Sequence, residues 1–181
     1  MKFILGNSEA YFAHVVHMET TAVEGDHDIV VEAGVSSRAF VELQGQIAIF
    51  NQMHQRTQEV LLLHIGERNC AYVAFEVGVV SVEGMLFVQL FCKIATSSSR
   101  EFFGMSQGIP VPNAWLRKAA IEGRSVPAVV LEMSKVEDPI SAITRGRVSA
   151  EDLAGWAFGP AVRQMEDEGM LKNTSHIPAE P

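Results

Sequence analysis

Cysteine is almost absent from this chain. Cys70 and Cys92 are the only two in 181 residues, and neither belongs to a CxxC pair. Two cysteines cannot make a disulfide framework, and without CxxC pairs there is no zinc-ribbon pattern. A reducing, cytoplasmic setting is expected. Basic residues are also scarce: 14 Lys and Arg stand against 22 Asp and Glu, for a formal charge of −8, and they form no visible cluster. Such a surface repels phosphate backbones and anionic membranes, so no nucleic-acid partner is expected.

Long apolar runs are missing too. The most apolar stretch, 70–95, is interrupted by Glu76, Glu83 and Lys93, whereas a membrane span needs about 18 residues with few or no charges. The amino terminus has one lysine and three apolar residues before Gly6 and Asn7, too little for a signal-peptide core. No P-loop or dinucleotide fingerprint occurs, and no cofactor is expected.

What is present is a chain with 48% apolar residues, long enough to bury a core without metal or disulfide support. A single domain over 1–171 with a loose tail at 172–181 is expected. Residues 10–23 and 28–32 are rich in Val, Thr, Ile and aromatics around a turn-like Glu24-Gly25-Asp26-His27, which predicts a strand pair. Phe40, Leu43, Ile47, Phe50 and His54 recur at steps of three and four after Ser36-Ser37, predicting one long helix.

Residues 59–65, 71–82 and 85–95 predict a three-strand meander, the last two runs joined at Glu83-Gly84. If Val82 faces Met85, Phe75 faces Cys92 and Cys70 lies beyond it. A Cys70–Cys92 bridge is then excluded, because a disulfide needs Cα atoms within about 7 Å. The middle run is apolar on both faces, and the second face of its neighbour is aromatic. A second layer of the chain or a subunit partner is therefore expected over it.

Downstream, 103–112 reads as irregular, 113–122 as a helix stopped by Gly123, and 127–133 as a strand. A short helix opens at Asp138-Pro139. Ser149 with Asp152 approximates a capping box for another, which Gly159-Pro160 is expected to break and restart before Gly169 ends it. The plan is α+β: an antiparallel sheet, made of the strand pair and then the meander, packed with one long central helix and C-terminal helices.

Four groupings carry possible chemistry. Gly104-Met105-Ser106-Gln107-Gly108 matches G-x-S-x-G, but Ile109-Pro110-Val111-Pro112 cannot form the helix that a nucleophile elbow requires. His14 and His17, with Asp26, His27 and Asp28, supply metal-ligand types, although two histidines three apart on a strand point to opposite faces. Glu42 and His54 are candidate general bases, yet twelve residues of helix would hold them about 18 Å apart. Residues 152–171 have a superficial likeness to the end of a winged-helix DNA reader, with a spacer too short for its helices and Arg163 as the sole basic residue before Leu171.

No convergent acid, base and nucleophile set emerges. The expected role is a non-catalytic cytoplasmic interaction or assembly protein that holds itself or another protein, self-associating through a sheet face. The alternative is a small-molecule enzyme, such as a hot-dog-like acyl-thioester hydrolase or dehydratase with Glu42 or His54 as base.

Overall fold

A two-residue turn organises the sheet. In the computed structural model, Glu83 and Gly84 both have positive φ, 49° and 79°, the mirror-image turn whose twist matches that of paired strands. It joins β4 (Cys70–Val82) to β5 (Met85–Thr96). The register is the expected one, with Val82 opposite Met85 and Phe75 opposite Cys92. Cys70 instead faces Lys2, and both cysteines are free and buried. The structure describes residues 1–6, 10–21, 23–24, 27–31, 55, 57–58, 66, 69–133 and 139–173. The expected helix over 36–57 falls almost wholly outside these residues, as does the expected strand over 59–65.

Strands flank the hairpin on both sides. On one side lies β1 (Lys2–Leu5), whose Phe3, Ile4 and Leu5 are completely buried. It pairs in parallel with β4 and with β3 (Asp28–Val31). On the other side β6 (Glu101–Met105) and β7 (Ile109–Pro110) pair antiparallel with β5. The order is β3-β1-β4-β5-β6, with β7 beside β5 beyond β6. The sheet is therefore mixed rather than antiparallel, and the segment expected to be irregular contributes to one of its edges through β6 and β7. Ser97 to Arg100 form the tight connection between β5 and β6, closed by the Thr96 N–H bond to the Arg100 carbonyl.

The parallel pairings follow from a correction upstream. Residues expected as a strand form helix α1 (Ala10–Thr21), because Phe12, Val15, Val16 and Thr20 fall on one helical face and are buried on the sheet. That periodicity outweighs the β-preference of the individual residues. A helix between β1 and β3 carries the chain back so that the second strand runs parallel to the first.

After α1, β2 (Val23–Glu24) pairs antiparallel with β8 (Lys172–Asn173), so the tail expected from residue 172 begins with a strand. A second correction concerns α3 (Val126–Met133), expected as a strand. Pro127 stands in its first turn, where a missing N–H is harmless, and Ser125 Oγ accepts from the Ala128 N–H. Helix α2 (Asn113–Glu122) ends as expected at Gly123, which has φ 62°.

Helix α4 (Pro139–Thr144) precedes α5 (Ala150–Asp167), which packs on β5, β6 and α1. The capping box forms: Asp152 N–H donates to Ser149 Oγ, and Ser149 N–H donates to the Asp152 carboxylate. The expected break at Gly159-Pro160 does not occur. Pro160 stands inside the continuous helix, where its missing N–H leaves the Trp156 carbonyl without its usual helical partner. Gly169, at φ 70°, donates to the Glu166 carbonyl, and Met170 to that of Met165, ending the helix.

The main core lies between the sheet and these helices. Phe12 stacks on Phe75 at 4.4 Å, and Phe158 meets Phe75 and Phe3 at 6.0 and 6.4 Å. The buried stripe of α5 is rich in alanine, with Ala154, Ala157 and Ala161 between Leu153, Phe158, Val162 and Met165. These small residues bring helix and sheet backbones together at Gly104, where an added Cβ would lie 1.9 Å from the Ala157 carbonyl oxygen. Gly104→Ala should therefore lower unfolding stability by about 2–3 kcal/mol, measured by urea denaturation. An unchanged midpoint would contradict this close seating.

Candidate functional site

Three polar features merit comparison: the G-x-S-x-G serine, the charges on the second sheet face, and the groove between α1 and α5. Ser106 is buried, and its hydroxyl accepts from the Leu90 N–H at 2.9 Å while donating to the Gln107 carbonyl at 2.9 Å. The Gln89 side chain donates to its carbonyl. Ser106 thus bridges β5 and the loop after β6, a structural role with no exposed nucleophile.

The second face carries Glu76 and Lys93, both buried. Lys93 Nζ meets a Glu101 oxygen at 2.7 Å and lies 5.3 Å from the centre of the Phe103 ring. Burying a charge is costly unless it is paired, and here an edge-strand carboxylate and an aromatic face receive the ammonium. The only sequence signal was the placement of these charges within apolar strands. Tyr72, Phe91 and Ala95 are buried on this same face, while Phe103 is 36% exposed. Val82 and Met85 at the hairpin tip remain exposed.

The groove between α1 and α5 is open and encloses about 780 Å³. Met18 comes from α1, Met105 from the end of β6 and Trp156 from α5; they are 57%, 54% and 38% exposed. Gly155 and Gly159 form part of the floor, where a Cβ would come 3.8 and 3.6 Å from the Glu19 carboxylate. Glycine inside a helix costs about 1 kcal/mol relative to alanine. Here it leaves the floor without side chains.

Four carboxylates, Glu19, Glu151, Asp152 and Glu166, line the groove against one guanidinium, Arg163. The capping box places Glu151 and Asp152 in the first turn of α5, where the helix dipole favours negative charge. His14 Nδ1 and Glu151 Oε1, 2.6 Å apart, tie α1 to α5.

Beside the groove, α5 also closes the sheet edge. The Gln164 amide donates to the Phe103 carbonyl at 2.8 Å and accepts from its N–H at 3.4 Å, occupying the outward backbone groups of the edge strand. An edge closed in this way resists pairing with another strand.

The metal-ligand candidates are dispersed. His14 and His17 are exposed on α1, with His14 engaged by Glu151. His27 packs edge-on to Phe3 with ring centroids 5.8 Å apart, and Asp28 is exposed on β3. Asp26, Glu42 and His54 lie outside the described residues. Among the described residues no three His, Cys, Asp or Glu side chains come together as a metal site, and no helix is long and apolar enough to cross a membrane.

Comparison with known proteins places the architecture. No protein-family model matches the chain, and no curated protein does. Its fold is similar to that in the crystal structure of protein VC0702 from Vibrio cholerae, with a TM-score of 0.68 and 14% identity over 93% of this chain and 96% of that one. The class defined is an α+β protein with a mixed, mostly antiparallel sheet. At that identity the likeness concerns the fold alone.

The Asp152 carboxylate is held below its usual range, chiefly by the Ser149 backbone N–H and then by the Ser149 hydroxyl. A carboxylate whose folded pKa is lowered contributes stability above its ordinary pKa of about 3.9 and loses it as pH falls through the folded value. Asp152→Ala should cost about 1 kcal/mol at neutral pH. The difference should vanish at strongly acid pH in denaturation curves; a pH-independent difference would contradict the capping role.

Proposed function

We propose that this chain is a non-catalytic interaction protein that docks an amphipathic protein segment in the groove between α1 and α5. The observation that carries this reading is the exposed row Met18, Met105 and Trp156 inside a carboxylate-lined groove. Methionine adapts to varied apolar surfaces and tryptophan is enriched at binding hot spots. The carboxylates favour a basic partner and disfavour acidic ones. No serine, threonine, cysteine or lysine occurs among the described lining residues. The His14–Glu151 pair is about half exposed on each side, a setting in which an ion pair contributes little. This reading places docking in a helical groove rather than on the sheet face expected from the sequence.

The enzyme reading has one observation in its favour, the burial of Glu76 and Lys93 on one sheet face, since desolvated charges are common in catalytic sites. It ranks second because Glu101 and Phe103 already receive the Lys93 ammonium.

The test is fluorescence anisotropy with a dye-labelled synthetic amphipathic helix of leucine and lysine. Saturable binding should weaken about tenfold, equivalent to about 1.4 kcal/mol, in Glu151→Lys and in Trp156→Ala. Absence of binding, or binding that neither substitution changes, would overturn the groove reading.

A further inference from the structure

We infer that the segment this groove takes is helix α2 of a second copy of the same chain, so that copies associate head to tail; this rests on the groove reading above. Ile121 on α2 is 85% exposed, the highest exposure among the large exposed apolar side chains of the described residues. Ala114, Arg117 and Ile121 recur at steps of three and four and are all exposed, so they form one row on the helix surface. The opposite face is anchored in the core by Trp115 and Ala119. Ile121 is thus held on a fixed helix, without the ordering penalty of a flexible segment.

The charges of the two surfaces are complementary. Around α2, Arg117, Lys118 and Arg124 stand against Glu122 and Glu132, three cations to two carboxylates. Lys118 and Arg124 are cross-linked to both glutamates and hold α2 on α3. Arg117 has no ion pair among the described residues and lies one helical turn before Ile121 on the same exposed row. The groove has the opposite balance, with four carboxylates and Arg163. Ile121 fits the apolar row of Met18, Met105 and Trp156, and Arg117 fits the carboxylate rim or the Trp156 face, where a guanidinium is attracted to the ring.

The two surfaces share no residue, so one copy can give its helix and offer its groove at once. An interface joining different surfaces of identical chains is heterologous and leads to rings or open chains. Its charge component weakens with salt.

The experiment uses sedimentation velocity on the full chain and two double variants, each with one surface blocked. Arg117→Glu/Ile121→Glu removes the helix contact, and Glu151→Lys/Trp156→Ala removes the groove contact; circular dichroism confirms folding. Wild type should associate with rising concentration. Each variant alone should associate at least about thirtyfold more weakly, as expected for a hot-spot loss. Their equimolar mixture should form a dimer and nothing larger, since one intact groove meets one intact helix. A wild type that stays monomeric, or association that survives either double variant, overturns the inference. The groove reading is judged separately by the leucine–lysine helix, whose binding needs no second copy.

Discussion

The close seating of α5 on the sheet is the constraint from which the rest of the surface follows. Gly104 lacks the atom that would collide with the Ala157 carbonyl, and the alanine-rich stripe of α5 lets the helix backbone reach that position. At this distance Gln164 can satisfy both outward backbone groups of Phe103. The same seating brings Trp156 of α5 to the groove that Met18 and Met105 also line. A bulkier stripe would raise the helix, release the sheet edge and widen the groove.

Two kinds of burial are separated by the sheet. On the helix side, apolar groups supply the packing, and Phe75, stacked on Phe12 and tilted against Phe158, joins α1, β4 and α5. Each buried aromatic or aliphatic side chain of this kind is worth about 1.5–3 kcal/mol. On the other side, Tyr72 and Phe91 share the surface with buried Glu76 and Lys93. That charged pattern favours a fixed strand register, because sliding β5 against β6 by one residue would turn Lys93 away from Glu101.

The hairpin was readable because turn chemistry and strand alternation agreed. Glu83-Gly84 set its register, and apolar residues on both faces of β4 marked it as interior. The capping box and Gly123 were equally legible, since each depends on neighbours in sequence. Helix α1 was misread because Val15, Val16, Thr20 and Thr21 favour strands locally, while burial of one face against the sheet favours a helix. The misreading hid the parallel pairing of β1.

The groove had no local signature. Met18, Met105 and Trp156 belong to three separate elements, and only the seating of α5 brings them together. His14 and Glu151 likewise meet across 137 positions, beyond the reach of any spacing argument. The buried charges were visible as Glu76 and Lys93 in apolar strands, but their sequence positions alone said only that a membrane span was excluded.

The proposed contact through the helical groove competes with contact through the sheet face. Amide and indole chemical shifts of the full chain, followed by NMR from dilute to concentrated solution, test this most directly. Concentration-dependent shifts should gather at Met18, Trp156, Arg117 and Ile121, leaving Val82, Met85 and the second sheet face unchanged. Shifts confined to the hairpin tip and sheet, with Trp156 unmoved, would contradict it.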